Sequence, residues 1–249
     1  TNETPEGVEL WVIDVEPAEA RKLTDAVLSR TANEWPEWLS DGSGIICCII
    51  PQDHGEPPAP NPVPSGPVIQ QTTGAAAPAR TYQDLLENPY DEDLFEYYLT
   101  SQLSVVRMDG SIDRIGDPGV IWYYSPSPDA RYLLVSQLVR PFSYMVTAGR
   151  FAELVEVWNF EGNTVFEVAA FPVRDAIPIA TGSTFEGPRS IVWRSDADAT
   201  LCWTEALDGG DAGAEAELRD RIYLLEAPFD EEPAKLLDLT SRFGGIVWG

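Results

Sequence analysis

The sequence predicts an all-β protein: an incomplete β-propeller of about three full four-stranded blades plus half-blades, with a Pro-rich loop and a short helical insertion. Three observations carry this expectation. One hairpin pattern occurs four times, a second strand motif recurs between the hairpins, and the copies are spaced by one blade plus insertions.

The hairpin is an apolar strand, a polar or acidic turn and a second short strand. Its copies are LWVIDV (10–15) leading to RKLT (21–24) and LSVVRM (103–108) leading to IDRI (112–115). VEVWNF (155–160) then leads to VFEV (165–168), and IYLLEA (222–227) to KLLDL (235–239). The turns at Asp109-Gly110 and at Glu161, Gly162 and Asn163 carry residues that tolerate positive φ.

Between the hairpins, an aromatic residue or Pro is followed by a turn Asp and a strongly apolar strand. Trp38 and Asp41 precede IICCII (45–50), Pro126 and Asp129 precede YLLV (132–135), and Trp193 and Asp196 precede TLCW (200–203). Trp248 would open a fourth unit. The spacings of 88, 67 and 55 residues exceed the ~40–50 of an uninterrupted propeller blade. Near-continuous apolar strands are expected where a sheet is covered on both faces by neighbouring blades. A β-sandwich could be built from the same hairpins, but it does not predict the recurrent order of Trp or Pro, turn Asp and apolar strand. On this reading the chain starts at the third strand of one blade and stops on the first strand of another. Such an arc cannot close, and its open ends predict self-association.

The longest insertion spans 51–100. Eight prolines between Pro51 and Pro78 exclude a helix or central strand there, so 51–80 reads as an extended loop. The stretch 81–100 reads as helical: residues 81–84 cap a first helix before Leu85 and Leu86, Pro89 breaks it, and Asp91 caps a second one carrying Leu94, Phe95, Tyr98 and Leu99. This insertion is either a packed surface decoration or a docking element for another domain.

Composition excludes several classes of function. Sixteen Lys and Arg against 41 Asp and Glu give a net charge of −25, which repels a phosphate backbone and makes nucleic acid an unsuitable partner. Lys22 and Lys235 are the only lysines. A low-lysine, acid-rich surface is what solubility in concentrated salt favours, and it points to a halophilic host. No apolar run approaches the ~20 residues that cross a bilayer, so a soluble protein with no membrane partner is expected. The chain opens on Thr1 without a basic-then-apolar leader, so an export signal, if there is one, was removed or lies outside this piece, and compartment is left open between exported or periplasmic and other locations. The three cysteines, Cys47, Cys48 and Cys202, make neither a disulfide framework nor a paired metal spacing and read as core residues. No cofactor or metal is expected; the acids around Asp208 and Asp211 lack the ligand spacing of a calcium loop and read as a solvated hairpin connection.

Several motifs then resemble one known family. They are GPVIQ (66–70), APARTYQDLL (77–86), SPSPD (125–129), RPFSY (140–144), Arg150-Phe151, Trp193-Arg194 through Trp203, EALDGGD (205–211), RDR (219–221) and APF (227–229). From Glu9 to Gly249 the chain resembles the N-terminal propeller of prolyl oligopeptidase-family serine peptidases, in the glutamyl endopeptidase branch. The resemblance implies a larger enzyme in which the propeller caps a downstream α/β-hydrolase domain that carries the Ser, Asp and His and cleaves peptides after Glu. The chain departs from that pattern at Val139 and Leu218, where a His is expected before Arg140 and Arg219.

The residues themselves carry no such triad. No Ser has the Gly-x-Ser-x-Gly surroundings of a nucleophile on a strand-to-helix turn, and the single histidine, His54, lies in the Pro-rich loop. This chain is therefore read as non-catalytic, with a peptide as its substrate-side partner. Its candidate substrate-binding residues are Arg140, Tyr144, Arg150 and Arg189, because a guanidinium fork pairs a carboxylate bidentately. For each Arg the competing reading is a structural pair with an acid of a neighbouring blade. A stand-alone interaction scaffold without catalysis, and a remnant of a broken gene, are the other two readings of the whole chain.

Overall fold

The computed structural model describes residues 1–32, 35–60, 82–177 and 181–249. The strands β1 (Asn2–Thr4) and β2 (Gly7–Glu9) form a small hairpin, and β3 (Trp11–Asp14) and β4 (Glu19–Lys22) a second one. Three four-stranded antiparallel sheets follow, each a meander in chain order. The first contains β5 (Glu37–Trp38), β6 (Gly44–Ile49), β7 (Gln102–Arg107) and β8 (Ile112–Arg114). The second contains β9 (Val120–Pro126), β10 (Tyr132–Leu138), β11 (Glu153–Asn159) and β12 (Thr164–Phe171), and the third β13 (Arg189–Trp193), β14 (Thr200–Ala206), β15 (Asp220–Glu226) and β16 (Ala234–Leu239). Trp38, Pro126 and Trp193 end the first strand of their sheets, and all four repeated hairpins are formed. The β3–β4 pair is the half-blade expected at the start; no strand forms after Leu239, so the expected half-blade around Trp248 is not seen.

Both faces of β6, β7, β10 and β14 are buried, as their runs of apolar residues require, whereas β11 and β15 bury mainly one face. On β6, Ile46 and Cys48 pack towards the second sheet with Leu133, Val135 and Trp158, while Ile45, Cys47 and Ile49 pack towards Leu10, Val12 and Leu23 of the half-blade. On β10, Leu133 and Val135 face the first sheet and Leu134 joins Trp193, Leu201 and Trp203 of the third. The period of two along each strand thus divides one apolar run between two inter-sheet cores. Each fully buried Leu or Ile contributes ~1.5–3 kcal/mol by leaving water.

The insertion ends in one helix, α1 (Pro89–Leu99), where two were expected. Pro89 does not break a helix but opens this one, because a residue in the first turn has no intrahelical use for the N–H that Pro lacks. Asn88 is the N-cap: its side chain accepts from the backbone N–H of Tyr90 and Asp91, a cap worth about 1 kcal/mol. Residues 82–87 are not helical, and the expected Thr81 cap lies outside the described residues, as do positions 61–80 of the loop expected over 51–80. Phe95 and Leu99 of α1 pack on Val120, Leu138, Phe142, Val146 and Phe151 at one end of the second sheet. None of the described helices is long and apolar enough to cross a membrane.

Candidate functional site

The four candidate site residues separate into two places. Arg140 and Tyr144, just beyond β10, face α1. Arg140 donates from Nη1 to Glu92 (2.6 Å), from Nη2 to Asp93 (2.8 Å) and from Nε to Glu96 (2.9 Å), so three carboxylates share one guanidinium. Burial and a hydrogen bond to Glu92 push the Tyr144 hydroxyl up to about 12, so it stays a donor. Together they clamp the helix to the second sheet.

Arg150 and Arg189 line one cavity of about 410 Å³ between the second and third sheets. Arg150 ends a single 3₁₀ turn, Ala148–Arg150, after the second strand of its sheet. Among the described residues, no carboxylate lies within ion-pair distance of its guanidinium. Arg189 begins β13, where a bulge displaces the pairing between Arg189↔Thr204 and Val192↔Cys202. Ser190, inside the bulge, has φ of 53°, a left-handed conformation that a residue other than glycine adopts only under tertiary constraint. The displaced strand turns Arg189 so that Nη2 pairs with buried Asp220 while Nη1, also buried, has no hydrogen-bond partner.

Two further charged residues of this cavity were not among the expected ones. Arg174 donates to Glu153 (2.8 Å) and to the carbonyl of Gly149 (3.0 Å), and its guanidinium lies 5.0 Å from the ring centres of both Phe171 and Phe185. Its sequence signal is of the same kind as that of Arg140, an Arg two or three residues past the end of an apolar strand. Tyr123, Leu134 and Val155 supply the apolar wall.

Behind Arg189 lies a network that corrects the solvated-loop reading for Asp208, while Asp211 is exposed as expected. The Asp208 side chain is buried and pairs with Arg219 (2.7 Å) and Arg242 (2.7 Å); Arg242 also reaches Asp220 (2.9 Å). The spacing suggested a solvated turn because the partners come from 11 and 34 residues away in the chain. Burial raises the Asp208 pKa, but hydrogen bonds from Arg219, Arg242 and the Gly210 N–H outweigh it and bring it down from 3.8 to about 2. A lowered folded-state pKa stabilises above the unfolded value and is lost as pH falls through the folded one. We therefore expect the thermal midpoint to drop between pH 4 and about pH 2, and Asp208→Asn to be less stable at neutral pH but flatter across that window. A variant with an unchanged acid limb would show that Asp208 is not charged in the fold.

Two further side chains with nucleophilic or basic groups are taken up in packing. Burial, with the neighbouring Cys48, pushes the Cys47 thiol up to about 12, and His54 stacks on Tyr97 at 4.1 Å between ring centres. Among the described residues, no three His, Cys, Asp or Glu are grouped to hold a metal ion.

The molecule is thus a stack of propeller-type four-stranded blades with a positively lined cavity between two of them. Over 244 residues, 96% of this chain, it is 43% identical to proteins named "Probable glutamyl endopeptidase, chloroplastic" from Oryza sativa subsp. japonica and from Arabidopsis thaliana. It is thus similar along nearly its whole length to one part of those longer proteins. The chain spans about a quarter of the length of those curated relatives, 26% and 25%. Two solved structures, a Pyrococcus horikoshii acylaminoacyl peptidase in its orthorhombic crystal form and an acylaminoacyl peptidase in complex with Z-Gly-Gly-Phe-chloromethyl ketone, match at 13% identity and a TM-score of 0.48. They cover 96% and 95% of this chain and 30% and 29% of theirs. No family model matches the chain.

Proposed function

We propose that this chain is the non-catalytic propeller portion of a glutamyl endopeptidase, which gates access to a separate α/β-hydrolase domain and contributes to peptide binding. The observation that carries the reading is the 43% identity along nearly the whole chain to a quarter of proteins so named, in a segment that has no Gly-x-Ser-x-Gly nucleophile turn. The single His is stacked on a Tyr and the described thiols are buried, so the residues here serve binding and access, not acyl transfer. The inter-sheet cavity with Arg150 and Arg189 supports the peptide-binding part. The stand-alone scaffold reading has no observation of its own in its favour.

The test is cleavage of fluorogenic peptides with Glu before the scissile bond, by the 249-residue chain and by the longer protein that the proposal requires. The longer protein is expected to cleave short peptides far faster than folded proteins containing the same sequence, and the chain by itself to cleave neither. Hydrolysis by the chain alone would overturn the non-catalytic reading. A longer protein with no cleavage after Glu would overturn the peptidase reading, and equal rates on peptides and folded proteins would overturn gating.

A further inference from the structure

We propose that α1 is a detachable arm: Arg140 latches it to the second sheet, and opening that latch, by salt or by substitution, frees the helix as one unit while the sheets stay folded. This deepens the access part of the proposed function and rests on it only for the biological use of the movement.

Little of the helix is committed to the core. None of the eleven residues of α1 is buried, and its apolar contact with the rest of the molecule is made by Phe95 and Leu99. The shelf beneath them is buried and belongs to the second sheet and to the connection from β10 to β11: Val120, Leu138, Phe142, Val146 and Phe151. Phe95 meets Phe142 edge-on at 5.0 Å and Phe151 at 5.4 Å between ring centres. An element with so few buried apolar contacts opens at a lower free energy than the strands it rests on. A helix of eleven residues is marginal in water by itself, so it unfolds once it leaves the shelf.

The polar attachment runs through one cation. α1 carries Asp91, Glu92, Asp93 and Glu96 and no basic residue. Asp91 is turned to the helix start, where it accepts from the Glu87 N–H and from Asn88. The other three acids converge on Arg140, and among the described residues no other basic side chain lies within ion-pair distance of them. Tyr144 adds a hydrogen bond to Glu92. With Arg140 removed, three carboxylates one turn apart are left to repel one another.

Salt separates this latch from the rest of the molecule. A chain of net charge −25 repels itself, so salt favours its compact sheets. The Arg140 side chain is 40% exposed, so the same salt screens its attraction to the three acids. The arm therefore loosens under the condition that tightens the sheets.

The movement reaches beyond the helix. Tyr97 Oη donates to the Gly55 carbonyl (2.9 Å) and His54 stacks on the Tyr97 ring, so residues 54–55 travel with α1. The shelf runs on through Ala148 into the 3₁₀ turn whose Gly149 and Arg150 line the cavity between the second and third sheets. Opening the arm uncovers the apolar side of that turn, at the rim of the cavity, and this connects the latch to access.

The experiment is hydrogen exchange of the 249-residue chain, read by mass spectrometry over 89–100 and over β10. Raising sodium chloride from about 0.05 M to about 1 M is expected to speed exchange in α1 severalfold without speeding it in β10. Arg140→Met should speed exchange in α1 about tenfold at low salt, the size expected when three partly exposed ion pairs are lost together, with β10 unchanged. In that variant the acceleration by salt should disappear, because only repulsion between acids is left to screen. Arg140→Lys keeps the charge without the fork and should fall between the two. Glu92→Gln combined with Glu96→Gln weakens the latch from the arm, where no residue is buried, and should speed exchange in α1 likewise even if Arg140→Met does not fold.

Unchanged exchange in α1 when the latch residues are replaced, an acceleration shared equally by β10, or the same salt response with and without Arg140 would overturn the proposal. Because no hydrolysis is read, an arm that does not open and a longer protein that does not cleave after Glu are separate results.

Discussion

Replacing Asp220 by Ala is expected to cost about 3–5 kcal/mol of stability, the penalty of breaking a buried ion pair from one side. Asp220 is completely buried at the start of β15 and accepts from Arg189, from Arg242 Nη1 at 2.9 Å and from the backbone N–H of Phe243. Its removal leaves Arg189 with neither half of its guanidinium paired and takes one of two acidic partners from Arg242, which keeps Asp208. The closing segment around Phe243 loses its tie to β15 as well. Asp220→Asn keeps an acceptor but not the charge, and an intermediate loss is expected. Urea denaturation followed by Trp fluorescence reads both. A loss below about 1 kcal/mol for Asp220→Ala, the range of an exposed pair, would show that these arginines are solvated instead.

Gly162→Ala is expected to cost about 3 kcal/mol, summing a left-handed backbone penalty and an overpacked contact. Gly162 sits in the turn from β11 to β12 with φ of 83°, and a Cβ there would lie 2.0 Å from the Gly116 nitrogen and 2.2 Å from its Cα. Both neighbours are backbone atoms of the connection from β8 to β9, so the second sheet's outer turn would have to lift off the first. Gly42 provides the control. Its φ is 69° but nothing lies within 4 Å of a Cβ, so Gly42→Ala should show the conformational cost alone, about 1 kcal/mol. Equal losses in the two variants, again by urea denaturation, would mean that the contact between the sheets at Gly116 is not made.

These two sites illustrate what is legible in a chain and what is not. The Gly162 turn could be read directly, because a strand, a Glu-Gly-Asn turn and a second strand are local facts and their periodicity repeats along the sequence. That a turn of one sheet touches a glycine of the neighbouring sheet could not, since the two residues are 46 positions apart and nothing in either neighbourhood marks the other. Asp208 is the opposite case: its local context of glycines and acids points to a solvated turn, and two distant arginines make its side chain a buried, paired carboxylate.

The insertion shows the same division at the level of whole elements. In the sequence Pro89 marks a stop, because a proline ends most helices that reach it, but Asn88 before it supplies a cap, and the two together start α1. Among the candidate arginines, residue type alone could not separate Arg140 from Arg150. Both follow apolar strands, yet three acids on α1 meet the first, and among the described residues none meets the second.

By itself, the sequence determined the all-β class, the four hairpins, the double-sided burial of β6, β7, β10 and β14 and the lack of a nucleophile turn, because each depends on residues within one strand or turn. The tertiary structure alone decided which arginines are consumed by carboxylates and which keep a free donor facing a cavity. That outcome depends on which sheets stack and where a bulge turns a strand, and ion pairs between distant segments form only after the chain has brought them together.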